Sequence, residues 1–126
     1  MQRLVFVFIF IPTTVFAKMP LWSFQSVSCG LSVDGDLKNE VTSALIPLTV
    51  DDHMGRFVEL QLGDEKQKIQ YQILIEDDVS VVAGDQLIVL QNLMVDGQES
   101  SSEFTTKDLN WCRISQGRLS VSCKIN

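Results

Sequence analysis

Lys68-Ile69-Gln70-Tyr71-Gln72-Ile73-Leu74-Ile75-Glu76 decides the fold class. Ile69, Tyr71, Ile73 and Ile75 share one side of an extended chain, Lys68, Gln70, Gln72 and Glu76 the other, and only Leu74 is out of step. Successive side chains of a strand point to opposite faces, so this period of two describes a strand with one buried and one wet side. Residues 56–62 repeat the pattern, with Val58, Leu60 and Leu62 on one face and Glu59 and Gln61 on the other. Gly63-Asp64-Glu65-Lys66 between them supplies turn chemistry, and the two segments read as a hairpin.

Outward from this hairpin the chain continues in strands. Residues 79–83, a turn at Gly84-Asp85, and residues 86–95 form a second hairpin, in which the unbroken apolar run Leu87–Leu90 predicts a strand covered on both faces. Val95-Asp96-Gly97 ends it, and residues 98–107, with Ser100, Ser101 and Ser102 together, read as a polar surface loop pinned by Phe104. Residues 109–114 and 119–125 make a third hairpin through Gln116-Gly117. Two earlier strands fall at 22–31 and 44–50. Between them residues 36–45 are the one helical candidate, because Leu37, Val41, Ala44 and Leu45 fall at helical spacing, Asp36 can cap the start and Pro47 stops the run. The expected architecture is all-β with one short helix: an antiparallel β-sandwich, with a small β-barrel as the alternative. The βαβ alternation of a parallel sheet is missing.

The 126 residues combine 45% hydrophobic content with 10 Lys plus Arg against 16 Asp plus Glu, a formal charge of −6. The N-terminus accounts for that pairing of greasy and acidic. Met1-Gln2-Arg3, an apolar run from Leu4 to Ile11, and Val15-Phe16-Ala17 before Lys18 have the order of a secretory signal, with cleavage after Ala17. Pro12 and two threonines interrupt the run well short of the roughly 20 apolar residues that a membrane-spanning helix needs. The expected division is a signal peptide at 1–17 and a single β-rich domain at 18–126, secreted or periplasmic, without stable membrane insertion. Without residues 1–17 the chain holds 9 basic against 16 acidic side chains. This balance argues against nucleic acid, whose binders usually cluster Lys and Arg.

Three cysteines remain, Cys29, Cys112 and Cys123, so an oxidising compartment implies one bridge and one leftover thiol. Position favours Cys112 with Cys123, in the two arms of the third hairpin and on the same side of it. If Ile114 faces Leu119, Cys112 faces Val121 and Cys123 lies one same-face step farther, within reach given a bulge or longer loop. The chain-entropy model gives this short closure about 2.5–3 kcal/mol. The rival pairing, Cys29 with Cys123, fastens the first strand to the last and stabilises more in the same model. The odd cysteine is then a buried thiol or the seat of an intermolecular bridge.

Chemistry is mostly excluded. The one histidine, His53, lies in Asp51-Asp52-His53-Met54-Gly55, which reads as a solvated turn; no second histidine completes a zinc set. Cys29 with His53 as a thiol dyad has no local signature. Asp34-Gly35-Asp36 with Asn39 and Glu40 lacks the spacing of a helix-loop-helix calcium site, leaving only a looser cluster with Glu76, Asp77 and Asp78. No serine sits in a nucleophile elbow, and there is no phosphate loop or dinucleotide fingerprint. No catalytic residue, metal ligand or cofactor is assigned.

Two aromatics stand out. Phe57 alternates with Glu59 and Gln61, opposite Val58 and Leu60, and Trp111 alternates with Arg113, opposite Cys112 and Ile114. Exposed aromatics beside polar groups build interfaces and sugar platforms, so Phe57, Trp111 and Arg113 form the expected binding surface. The expected function is an exported, non-enzymatic β-domain that binds a protein or glycan, with acidic loops favouring a basic partner. The alternatives are a self-assembling structural or surface subunit, a homo-oligomer joined by an edge strand or the odd cysteine, and a small hydrolase or metal-dependent enzyme resting on His53.

Overall fold

The computed structural model describes residues 20–50, 53–77 and 86–126. The chain forms β1 (Ser26–Val33), β2 (Asp36–Ala44), β3 (Ile46–Val50), β4 (His53–Gln61), β5 (Ile69–Asp77), β6 (Leu87–Val95), β7 (Gln98–Thr106), β8 (Trp111–Gln116) and β9 (Leu119–Ile125). Among the described residues a 3-10 turn at Leu21–Ser23 precedes them. The strands make two antiparallel sheets, ordered β2-β1-β9-β8 and β3-β4-β5-β6-β7. The result is a β-sandwich. Among the described residues no pairing joins the sheets into a barrel; the chain crosses from one sheet to the other at two corners, between β2 and β3 and between β7 and β8. Leu45 and Leu109 sit at those corners, both buried, and seal the sandwich from the side.

The alternation read in β5 sets the core. Ile69, Tyr71, Ile73 and Ile75 are all buried and face Leu87, Val89 and Leu93 of β6 and Val58 and Leu60 of β4 along the inner side of the five-stranded sheet. Val27, Cys29 and Leu31 of β1, Ile114 of β8, and Val121 and Ile125 of β9 supply the opposing layer. Each aliphatic side chain withdrawn from water in this way stabilises the fold by about 1.5–3 kcal/mol. Phe24, just before β1, is buried against the same core, whereas Trp22 is 71% exposed. The first strand begins at Ser26 and not at residue 22.

Several local expectations are corrected. Residues 36–45 are no helix: Asp36–Ala44 is β2, paired with β1 from Ser26↔Ala44 to Val33↔Asp36. Residues 98–107 are no loop: Gln98–Thr106 is β7, an edge strand paired along all of β6. Both departures share a cause. Asp34 and Gly35 have φ of 53° and 88°, and Asp96 and Gly97 have 49° and 88°. Two successive left-handed residues make the tight turn whose twist suits a two-residue hairpin, and Asp-Gly is a preferred sequence for it. The unbroken run in β6 is also not covered on both sides, because Ile88 and Leu90 face outward and are half-buried. The signal sequence at 1–17, the strand at 79–83 and the Gly84-Asp85 turn lie outside the described residues.

Candidate functional site

The sandwich has two outer faces of opposite character. On the five-stranded sheet, the registers Ile46↔Phe57, Phe57↔Leu74, Leu74↔Leu90 and Leu90↔Glu103 place four apolar side chains in one row across the strands. Ile46 is 52% exposed and Phe57, Leu74 and Leu90 are half-buried. Ile88 and Leu48, in the next row, widen the band. Phe57, Leu74 and Leu90 also border a shallow depression that reaches Asn92 and Glu103. Glu59, Glu99 and Glu103 stand around the band and Glu76 lies within it, between Leu48 and Ile88; among the described residues no outward strand position of this face is Lys or Arg. Glu59 is held by Gln70 and Gln72, whose side-chain amides donate to its two carboxylate oxygens.

The four-stranded sheet presents a different surface. Ser26, Ser28 and Ser32 of β1, Ser120 and Ser122 of β9, and Thr42 of β2 point outward, and Ser28 and Thr42 share a hydrogen bond of 2.9 Å. At one edge Trp111 is 63% exposed, with Lys124 directly opposite it and Arg113 two residues along on the same face. At the other edge Leu37 is 61% exposed and leans over Gly30, where an added Cβ would meet Leu37 Cδ1 at 2.9 Å. Phe57 and Trp111 are therefore on opposite sides of the molecule: the expected single surface of Phe57, Trp111 and Arg113 resolves into two. An indirect signal of the larger one was present in the sequence, because Leu74, the residue out of step, and Leu90, inside the unbroken run, are the two that complete the row with Phe57.

Between the sheets lies the one buried polar cluster among the described residues. Gln91 is buried; its side-chain oxygen accepts from the Tyr71 hydroxyl at 2.8 Å, and its amide donates to the Arg113 carbonyl of the facing sheet at 3.2 Å. The Tyr71 hydroxyl also lies 3.5 Å from Cys112 Sγ. Burial pushes the Tyr71 hydroxyl far above its usual range, with Cys112 adding to the shift. Burial likewise raises the Cys112 thiol, and the Tyr71 hydrogen bond only partly offsets this. Both groups are thus neutral near pH 7.

The disulfide joins Cys29 to Cys123, with S–S 2.14 Å and Cα–Cα 4.0 Å, and Cys112 is free and buried. This corrects the favoured Cys112–Cys123 pairing in favour of its rival. The register expected for the third hairpin is corrected too: the turn at Gly117-Arg118 sets Ile114 opposite Val121, so Cys112 lies directly opposite Cys123. Cross-linking across 94 residues removes more freedom from the unfolded chain than the local bridge, about 4–5 kcal/mol in the chain-entropy model. With its sulfur bound and buried, Cys29 is no partner for His53 in a thiol dyad. His53 opens β4 opposite Val50; Asp51 and Asp52 beside it are outside the described residues.

The looser oxygen cluster is also divided. Asp34 turns between β1 and β2 and is paired with Arg118 in the β8–β9 turn, whereas Glu76 and Asp77 close β5 at the far end of the strands, and Asp78 is outside the described residues. Among the described residues no group of three or more His, Cys, Asp or Glu side chains is gathered as a metal site. No described helix is long and apolar enough to cross a membrane. Compared with known proteins, the chain matches no family model, no curated protein and no solved structure.

Proposed function

We propose that this chain is an exported, non-enzymatic binding domain whose five-stranded sheet receives a protein partner through a cationic, amphipathic segment. The observation that carries the reading is the row Ile46, Phe57, Leu74 and Leu90, aligned by strand register and ringed by glutamates. Contiguous exposed apolar area on a soluble domain marks interaction surfaces, and the carboxylate rim would steer a basic partner and disfavour an acidic one. Export is supported by the signal-like order of residues 1–17 and by the Cys29–Cys123 bridge, which suits an oxidising compartment.

A second reading rests on the opposite face. Trp111, flanked by Lys124 and Arg113 and bordered by serine hydroxyls, has the apolar ring and polar surround of a sugar platform. Affinity capture with the tagged protein from its own envelope or culture fluid separates the two. The protein reading expects a captured partner that is released by salt, lost from Phe57→Lys and Leu74→Lys, and retained by Trp111→Ala. Loss from Trp111→Ala with retention by the other two overturns it in favour of the glycan face. Sedimentation velocity covers self-assembly: a dimer of the wild type that Leu74→Lys dissolves would make the partner a second copy.

A further inference from the structure

All three cysteines stand in one row. Cys29 of β1 is directly opposite Cys123 of β9, and Cys123 is directly opposite Cys112 of β8. All three face the interior and are buried. A residue inside an antiparallel sheet exchanges its backbone hydrogen bonds with one neighbour and sits closer to the other, at Cα separations of about 5.5 and 4.5 Å. The 4.0 Å between Cys29 and Cys123 identifies the close side, which leaves Cys112 on the side near 5.5 Å. Disulfides usually span Cα distances of about 4.4–6.8 Å, so the native pair at 4.0 Å lies just below that span and the Cys112 side falls within it. The backbone therefore presents Cys123 with two alternative partners, one on each flank.

Chain connectivity ranks these partners in time. In the unfolded chain Cys112 and Cys123 are 11 positions apart (123 − 112), Cys29 and Cys123 94. Closure probability falls as roughly the three-halves power of the separation, so the local contact is favoured about 25-fold while the chain is still unfolded. Once β1 lies against β9, Cys29 arrives beside Cys123 and the preference is reset by the folded geometry.

We propose that Cys112 is a built-in exchange partner of the native disulfide: an external disulfide oxidant, itself reduced to two thiols, closes the bridge first within the β8–β9 hairpin, and the bridge is handed to Cys29 when β1 docks. In the transfer the Cys29 thiolate attacks Cys123 Sγ, the Cys29–Cys123 bond forms, and the Cys123–Cys112 bond breaks. Cys112 leaves as a thiolate and takes up the proton that Cys29 released, so one disulfide and one thiol are present before and after and the step itself consumes no oxidant. The released thiol settles under the Tyr71 hydroxyl. The free cysteine is on this account the leaving group of the last covalent step of folding.

Refolding reduced protein in a reduced and oxidised glutathione buffer, with acid quenching, alkylation and peptide mapping over time, tests this directly. A Cys112–Cys123 species that rises first and decays as Cys29–Cys123 accumulates is the expected result. Cys29–Cys123 appearing with no earlier Cys112–Cys123 overturns the proposal. Cys112→Ala should reach the same native bridge at least threefold more slowly, and an unchanged rate counts against the exchange. Cys29→Ala should keep a stable Cys112–Cys123 bridge, whereas two free thiols in the folded variant would sink the idea. If either variant fails to fold, the order of bridges in the wild type decides.

Discussion

Tyr71 carries more of the interior than its bulk suggests. Among the described residues it is the largest fully buried side chain, and its hydroxyl is the donor that satisfies Gln91 and the neighbour of the free thiol. Tyr71→Phe keeps the ring and removes the donor, leaving the buried Gln91 oxygen short of a partner; urea denaturation should show a loss of about 1–3 kcal/mol. The presence of Tyr71 in the core was plain from the alternation of residues 68–76. Its polar partnership was not, because Gln91 comes from a strand twenty residues on and nothing local marks a glutamine as inward-facing. Phe57 was legible in the same partial way. Its outward direction followed from Glu59 and Gln61, but the row it belongs to is written in the registers of three strand pairs.

At the scale of elements, the strands that read clearly were those with a strong apolar alternation, β4, β5 and β9. Those that did not, β2 and β7, are edge strands whose inner positions are weakly apolar: Ser100, Ser102 and Thr106 share the inner side of β7 with a single Phe104. Where β1 passes from Leu31 to Ser32 the register skips Lys38 of β2, which breaks the period of β2, and its apolar residues fall by accident at helical spacing. The Asp-Gly pairs at both turns were the surviving signal, and they speak of hairpins. One of these turns also joins the sheet's ends: the Asp34 carboxylate accepts from Arg118 in the β8–β9 turn, and Arg118 holds the Asp34 carboxyl below its ordinary 3.8. A depressed carboxylate pKa stabilises the fold at pH above the unfolded value, and that contribution disappears as pH falls through the folded one. Arg118→Ala should therefore lower stability slightly at neutral pH and leave it unchanged once Asp34 is protonated, a difference read by thermal melts taken from about pH 7 down to about pH 2. The effect is small because the pair is exposed.

For the whole molecule, the decisive feature is that β9 lies inside its sheet, between β1 and β8, and so completes the core of the four-stranded layer. A chain ended after Gln116 lacks Val121, Cys123 and Ile125 and leaves both β1 and β8 without the strand between them. It should show no cooperative unfolding transition in urea, whereas loss of a peripheral strand from a sheet edge would leave the two-layer core in place. Strand alternation pointed to the sandwich but not to the pairing of β1 with β9, because contacts between strands this far apart leave no trace in local pattern. That same pairing governs timing. The chain emerges from synthesis with β1 first, yet the site that β1 must occupy is not finished until some 94 residues later. Throughout that interval the four-stranded layer is unfinished and the core lacks its second wall, a state in which a protein can be threaded unfolded through a narrow channel.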